Sequence, residues 1–136
     1  MQNYGENHYD NSNSKSIHAE MDVLRKVSKK HTDRQKKKNK KAYNLIVIRT
    51  SRQGNNFGMS KLCERCVIGV NKIQETSGIK IKKIYYTTGE GEILKKTTPT
   101  KMLYMENQHI SSYYKNNGYK SKLGNNNNFI CGLCTN

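Results

Sequence analysis

The chain has no tryptophan, two phenylalanines and one proline, and it sets only 10 acidic residues against 25 basic ones. Its hydrophobic fraction is 33% and its mean hydropathy is −0.96. So little apolar material supports one small core, and 136 residues fit one domain. No stretch reaches the ~20 consecutive apolar residues of a membrane-spanning helix. Residues 1–10 carry no apolar block of the secretory type. These absences lead to the expectation of an intracellular protein whose thiols stay reduced. Its four cysteines then read as metal ligands, catalytic groups or inert thiols before they read as disulfides. The shortage of acid leaves a formal net charge of +15. That balance favours anionic partners: nucleic acid, nucleotides or a membrane surface.

Residues 1–15 are rich in Asn, Ser and Tyr without periodicity, and read as a tail or a poorly defined edge. The spacing Ile17, Met21, Leu24, Val27 predicts a helix over about 18–30, with Ser16 as its N-cap. The run "KKHTDRQKKKNKK", 29–41, has no apolar residue and reads as a solvated loop, a frayed helix end or a phosphate-binding surface. "YNLIVIRT", 43–50, predicts a strand buried on both faces. Cys63, Cys66, Val67, Val70 and Ile73 return to helical spacing, with Gly78 as the stop. "IKIKKIYYTT" predicts a second strand with Ile79, Ile81 and Tyr85 on alternating sites, broken near Ile84. "GEGE" is a turn and "ILKKT" a hairpin return strand. Thr98 and Pro99 open a helix, as N-cap and first helical residue, that runs through Met102, Leu103, Glu106 and Ile110. Helices alternating with strands argue for a layered α/β sheet.

Two short motifs carry chemistry. Cys63 and Cys66 stand at C-x-x-C spacing at a predicted helix start, where both sulfurs share a side and the positive dipole end favours thiolate. His18 opens another helix. Two thiolates and an imidazole make three ligands of a tetrahedral zinc site with its fourth position open to water. Glu20, two residues beyond His18, can stand beside the metal without binding it and move a proton.

His18-Ala19-Glu20 together with Cys63-Glu64-Arg65-Cys66 resembles the H-x-E…P-C-x-x-C signature of the zinc-dependent cytidine and deoxycytidylate deaminase superfamily, the CMP/dCMP-type deaminase domain. "HAEM" also occurs in the tRNA-editing adenosine deaminase branch, and the overall pattern looks like short deaminase-like proteins of large DNA viruses. The resemblance covers about residues 16–96. It implies a three-layer α/β/α sheet in a domain spanning 16–114, followed by a basic, Asn-rich tail at 115–136. It implies Zn2+ held by His18, Cys63 and Cys66. Glu20 would shuttle protons while zinc-bound hydroxide attacks the amino-bearing carbon of a cytosine-type, less readily an adenine, base. The implied partners are a nucleoside, nucleotide or single-stranded nucleic acid, with no membrane and with assembly into homo-oligomers. The implied location is the cytoplasm, or a host cytoplasm or virion.

Three positions depart from the signature. Leu62 stands where the family has proline, and 44 residues lie between His18 and Cys63. Only 17 residues precede His18, where the family places one or two strands. Those strands are missing or truncated, or residues 2–15 supply a short substitute.

Two other readings remain. Cys131 and Cys134 in "CGLC" could join Cys63 and Cys66 in a four-thiolate module that binds nucleic acid without catalysis. They could instead form a separate metal or redox site, or be free thiols on a mobile tail. Alternatively, a deaminase fold could keep zinc for stability and lack activity. His31 and His109 are spare ligands or solvated side chains. The tyrosines at 85, 86, 104, 113, 114 and 119 could stack on bases. The segment "ISSYYKNNGYKSK" could line a substrate entrance through Lys115 and Lys120.

Overall fold

In the computed structural model, the described residues are 3–9, 16–31, 40–51, 53–54, 56–89, 94–105, 108–110 and 112–123. In chain order they form β1 (His8–Tyr9), β2 (Ser16–Ile17), α1 (Ala19–Lys30), β3 (Lys41–Val47) and α2 (Glu64–Thr76). Then come β4 (Ile79–Thr87), β5 (Leu94–Thr97), α3 (Pro99–Leu103) and α4 (Ser112–Asn116). β1 and β2 make a two-stranded antiparallel pair. The main sheet has the order β3-β4-β5, with β3 parallel to β4 and β4 antiparallel to β5. The β3-α2-β4 unit is thus a crossover of the kind that parallel pairing requires.

The first helix begins one step later than its apolar spacing suggested. His18, not Ser16, is the N-cap. Ser16 is instead held in β2. Asp22 and Lys26 form an i,i+4 ion pair at 2.9 Å on its outer side, while Leu24 and Val27 turn inward. Thr98 caps α3 by accepting from Lys101 N, with Pro99 at the first helical position, as the sequence indicates. That helix ends at Leu103, short of Ile110, and Glu106 lies outside the described residues.

In β4 the buried residues are Ile79 and Ile81, then Ile84 and Tyr86. Tyr43 pairs with Ile81 but Asn44 with Lys83, so Lys82 is an extra residue in a β-bulge. The bulge shifts the alternation by one and puts Tyr86, rather than Tyr85, in the core. It is the physical form of the break expected near Ile84.

β3 departs further from expectation. It runs over 41–47, and only Leu45 is buried; Ile46 and Ile48 are 57% and 59% exposed. The strand lies at the sheet edge, and its outward face shares the exposed side with Lys80 and Lys83. Leu45, Ile79, Ile81 and Ile84 meet Leu24, Val27, Val67, Val70 and Met102 in a single cluster. The described residues therefore show two layers, sheet and helices, around one core. The third layer implied by the resemblance is not seen among them.

Residues 3–9 lie against α1. Glu6 N donates to Asp22 Oδ2 at 3.1 Å, and Asn3 accepts from Lys30 Nζ. At Gly5 an added Cβ would stand 2.5 Å from both Ala19 O and Val23 N, so only glycine permits this approach. A cavity of about 590 Å³ opens between this stretch, α1 and the edge strand, lined mainly by Val23, Leu24, Val27, Leu45 and Val47.

The connection from β3 to α2 is pinned by two buried hydroxyls. Ser60 Oγ donates to Val47 O at 2.6 Å and accepts from Thr87 N at 2.7 Å. Thr87 Oγ1 donates to Gly58 O at 2.7 Å and accepts from Arg49 N at 3.2 Å. This knot ties the loop to the ends of β3 and β4 and delivers Leu62 and Cys63 to the core. Thr87→Val keeps the shape but deletes the threonine hydroxyl's contacts with Gly58 O, Arg49 N and Ser60 Oγ. It is expected to cost about 1–3 kcal/mol, read as a lowered midpoint in urea unfolding with an unchanged slope.

Candidate metal centre

Each of two helices begins with a residue that carries a soft or borderline ligand. His18 precedes α1 with φ −76° and ψ 151°, and Cys63 precedes α2 with φ −68° and ψ 161°. Neither side chain caps its own helix. The first N–H groups of a helix still need acceptors, and here other segments provide them. Asn7 Oδ1 accepts from Ala19 N at 2.7 Å. The carbonyl of His109 accepts from Glu64 N at 2.6 Å. The two N-cap side chains, making no bond to their own helices, face one another.

They do so closely. His18 Nδ1 lies 3.3 Å from Cys63 Sγ and 3.3 Å from Cys66 Sγ. The three ligand atoms all lie within 4.8 Å of one another. Zinc bonds of ~2.3 Å to sulfur and ~2.0–2.1 Å to nitrogen in a tetrahedron separate N from S by about 3.5 Å. The observed spacing fits that donor set with little movement. Cys63 and Cys66 are buried and His18 half-buried.

The electrostatics agree. The Cys66 thiol donates to Cys63 and, with His18 beside it, holds Cys63 down to about 4 against its burial. Cys66, left with the proton and buried, is pushed up. The hydrogen bond from Cys63 raises the His18 imidazole, opposed by desolvation. Two sulfurs and an imidazole thus meet with one thiolate already favoured. A divalent cation among them deprotonates a coordinating thiol outright. His18, Cys63 and Cys66 could therefore hold a metal ion.

Glu20 sits beside the cluster in the first turn of α1, 7% exposed. Burial raises its carboxyl, partly offset by backbone hydrogen bonding and by His18. It lines the cavity between α1 and β3, whereas the three ligands line a second cavity of about 530 Å³ on the other side.

The other sequence candidates fall elsewhere. His31 Nε2 and the Tyr43 hydroxyl are 2.7 Å apart, away from the cluster. His109 contributes its backbone carbonyl while its side chain is exposed. Cys131, Cys134 and residues 32–39 of the basic run lie outside the described residues. The segment after Ile110 does reach the ligand-side cavity, through Tyr114, Tyr119 and Lys122 rather than Lys115 or Lys120.

Sequence reasoning missed Glu64. It is fully buried between the two cysteines, and its Oε1 accepts from Ser121 Oγ, Lys122 N and Leu123 N at 2.6, 2.9 and 2.6 Å. Burial works against its ionisation, but these donors win and hold its carboxyl below the ordinary range. It straps residues 121–123 over the start of α2. A charged residue inside a C-x-x-C spacing gives no hint of this role.

Comparisons with protein-family models, curated proteins and solved structures give no match. Among the described residues, no helix is long and apolar enough to cross a membrane.

Asn7→Ala removes the acceptor of the Ala19 amide beside His18 and is expected to cost about 0.5–1.5 kcal/mol of stability. It should also weaken zinc binding about tenfold, as loss of an orienting contact around a ligand does. Competition against a chromogenic chelator reads the affinity, and Asn7→Asp, which keeps the acceptor, should retain it.

Proposed function

We propose that the chain is a zinc-dependent deaminase that hydrolyses the exocyclic amino group of a cytosine-type base, nucleoside or nucleotide. The observation that carries this reading is the convergence of His18, Cys63 and Cys66 within one ligand sphere, with buried Glu20 beside them. Three protein ligands leave a tetrahedral ion one open position, the arrangement of a catalytic rather than a structural site. Zinc in that position lowers the pKa of a water to about 7 and so supplies a nucleophile at neutral pH.

The chain's own residues do the rest. Cys63, at the N-cap of α2, Cys66, in its first turn, and His18, at the N-cap of α1, would hold the ion between two helices. Glu20 accepts a proton from the attacking water and passes it to the amino nitrogen, which leaves as ammonia. Its raised affinity for protons suits a group that must both take and give one near neutral pH. The non-catalytic four-thiolate reading leaves His18 without a role, and the 3.3 Å approach of its Nδ1 to both sulfurs supports the His-Cys-Cys set instead.

The test is ammonia release by the zinc-loaded full chain, screened over cytosine- and adenine-type nucleosides, nucleotides and oligonucleotides. At least one cytosine-type substrate should turn over. Glu20→Gln should keep its zinc and lose about 100-fold or more of the rate. Zinc binding with no ammonia from any of these would favour an inactive deaminase fold, and full activity in Glu20→Gln would contradict the proton-shuttle role.

A further inference from the structure

The ligand-side cavity has three walls, and each brings cations to it. On α1, His18, Met21 and Arg25 follow one another at i, i+3 and i+7, so they share a helix face. On α2, Arg65, Gly69 and Lys72 do the same at i, i+4 and i+7. The two faces close on each other at their middles. A Cβ added at Gly69 would stand 2.8 Å from Met21 Sδ and 2.9 Å from its Cε. The third wall is Tyr114, Tyr119 and Lys122. The Arg65 guanidinium lies 4.1 Å from the centre of the Tyr114 ring, and Lys122 Nζ lies 5.8 Å from that of Tyr119. Burial and the nearby Glu64 carboxylate push the Tyr119 hydroxyl up to about 12, so the phenol adds no negative charge beside Lys122.

Among the described residues, no aspartate or glutamate lines this cavity. Among the described residues, no carboxylate stands within ion-pair distance of Arg25, Arg65, Lys72 or Lys122. Glu64, the nearest acid in sequence, is turned away into the 121–123 turn. Four cations outnumber the Cys63 thiolate that lines the same concave site, repel one another and focus a positive potential on its interior. Arg25 and Lys72 stand about seven residues beyond the start of the ligand-bearing turns, roughly 10 Å along the helix axes. The groove thus leads from the metal ligands to a basic end, with a stacked arginine and a lysine along its side.

We propose that this groove between α1 and α2 binds the phosphate of a phosphate-bearing ligand, on the side of the ligand cluster away from Glu20. The inference goes beyond the deaminase reading and does not depend on it. The anion site itself rests on the four cations. Arg65, held against Tyr114, offers a planar fork suited to phosphate oxygens. A mononucleotide would engage one pair of cations, whereas a single strand of nucleic acid would engage both pairs through successive phosphates.

The experiment measures binding to the zinc-loaded full chain by calorimetry, with dCMP, deoxycytidine and a single-stranded oligodeoxycytidylate as probes. Two double variants, Arg65→Gln/Lys122→Gln and Arg25→Gln/Lys72→Gln, remove the cations of the groove. Lys80→Gln/Lys83→Gln removes the same charge from the exposed sheet face. All six side chains are exposed, so folding is expected to survive, as a thermal melt will show. For a nucleotide ligand, dCMP should bind at least about tenfold tighter than deoxycytidine, and one groove variant should abolish the difference. For a polymer, the oligonucleotide should weaken about tenfold in both groove variants and keep its affinity in the sheet variant. The proposal is overturned if dCMP binds no tighter than deoxycytidine while the sheet variant weakens the oligonucleotide as much as the groove variants do. If dUMP matches dCMP in groove-dependent binding and no ammonia is released, the phosphate site stands and the deaminase reading falls.

Discussion

The candidate site depends on two hydrogen bonds that link distant segments to helix starts. A residue at the N-cap normally spends its side chain on the open amides of the first turn. His18 and Cys63 make no such bond, and Asn7 and the carbonyl of His109 hold the first helical amides, those of Ala19 and Glu64, tying distant segments to the two ligand-bearing helix starts. These ties have a structural requirement at each end. The N-terminal stretch must lie on α1, which Gly5 alone permits by letting backbone meet backbone. The chain after α3 must return past the start of α2, where Glu64 holds residues 121–123 and Leu123 is buried in the core. Segments at opposite ends of the sequence thus converge on the same few ångströms. The hydrophobic core supplies rigidity beneath them, since Cys63 and Cys66 belong to it as well as to the ligand cluster.

Around that point the charge is sorted. The two thiols and the Glu20 carboxyl are buried. The cations occupy the outer walls of the ligand-side cavity, with tyrosine rings between two of them. The +15 charge of the whole chain says only that anions are attracted. The alignment of Arg25, Arg65, Lys72 and Lys122 along one groove gives that attraction a place and a direction. The other cavity, beside the edge strand β3, is mainly apolar and meets Glu20. The metal position therefore lies between a basic surface and an apolar one.

How much of this was legible in the sequence follows the range of each interaction. H-x-E and C-x-x-C were legible because their meaning lies in spacings of two and three residues at helix starts. The alternation of helices and strands was legible for the same local reason. The break in β4 left a trace, two adjacent lysines between Ile81 and Ile84, and the bulge explains it. The exposure of β3 left none, since an apolar run reads alike whether its sheet is covered on one face or two. Nor could Asn7 be found, because its partner, the Ala19 amide, lies 12 residues on and is reached only through the β1–β2 pair. Arg65, Gly69 and Lys72 stand at helical spacing in plain view, yet only the approach of α1 turns that face into a wall. Cys131 and Cys134 lie outside the described residues.

The central claim is that His18, Cys63 and Cys66 form the metal centre, and it is tested most directly by metal content. Zinc per chain would be measured for the wild type, His18→Ala, Cys66→Ser and the Cys131→Ser/Cys134→Ser pair after equal dialysis. The account predicts about one zinc per chain in the wild type and in the tail variant, and loss of zinc in His18→Ala and Cys66→Ser. Retention of zinc by His18→Ala together with its loss from the tail variant would contradict the account. The ion would then belong to a thiolate site, and the helix start at His18 would be an ordinary one.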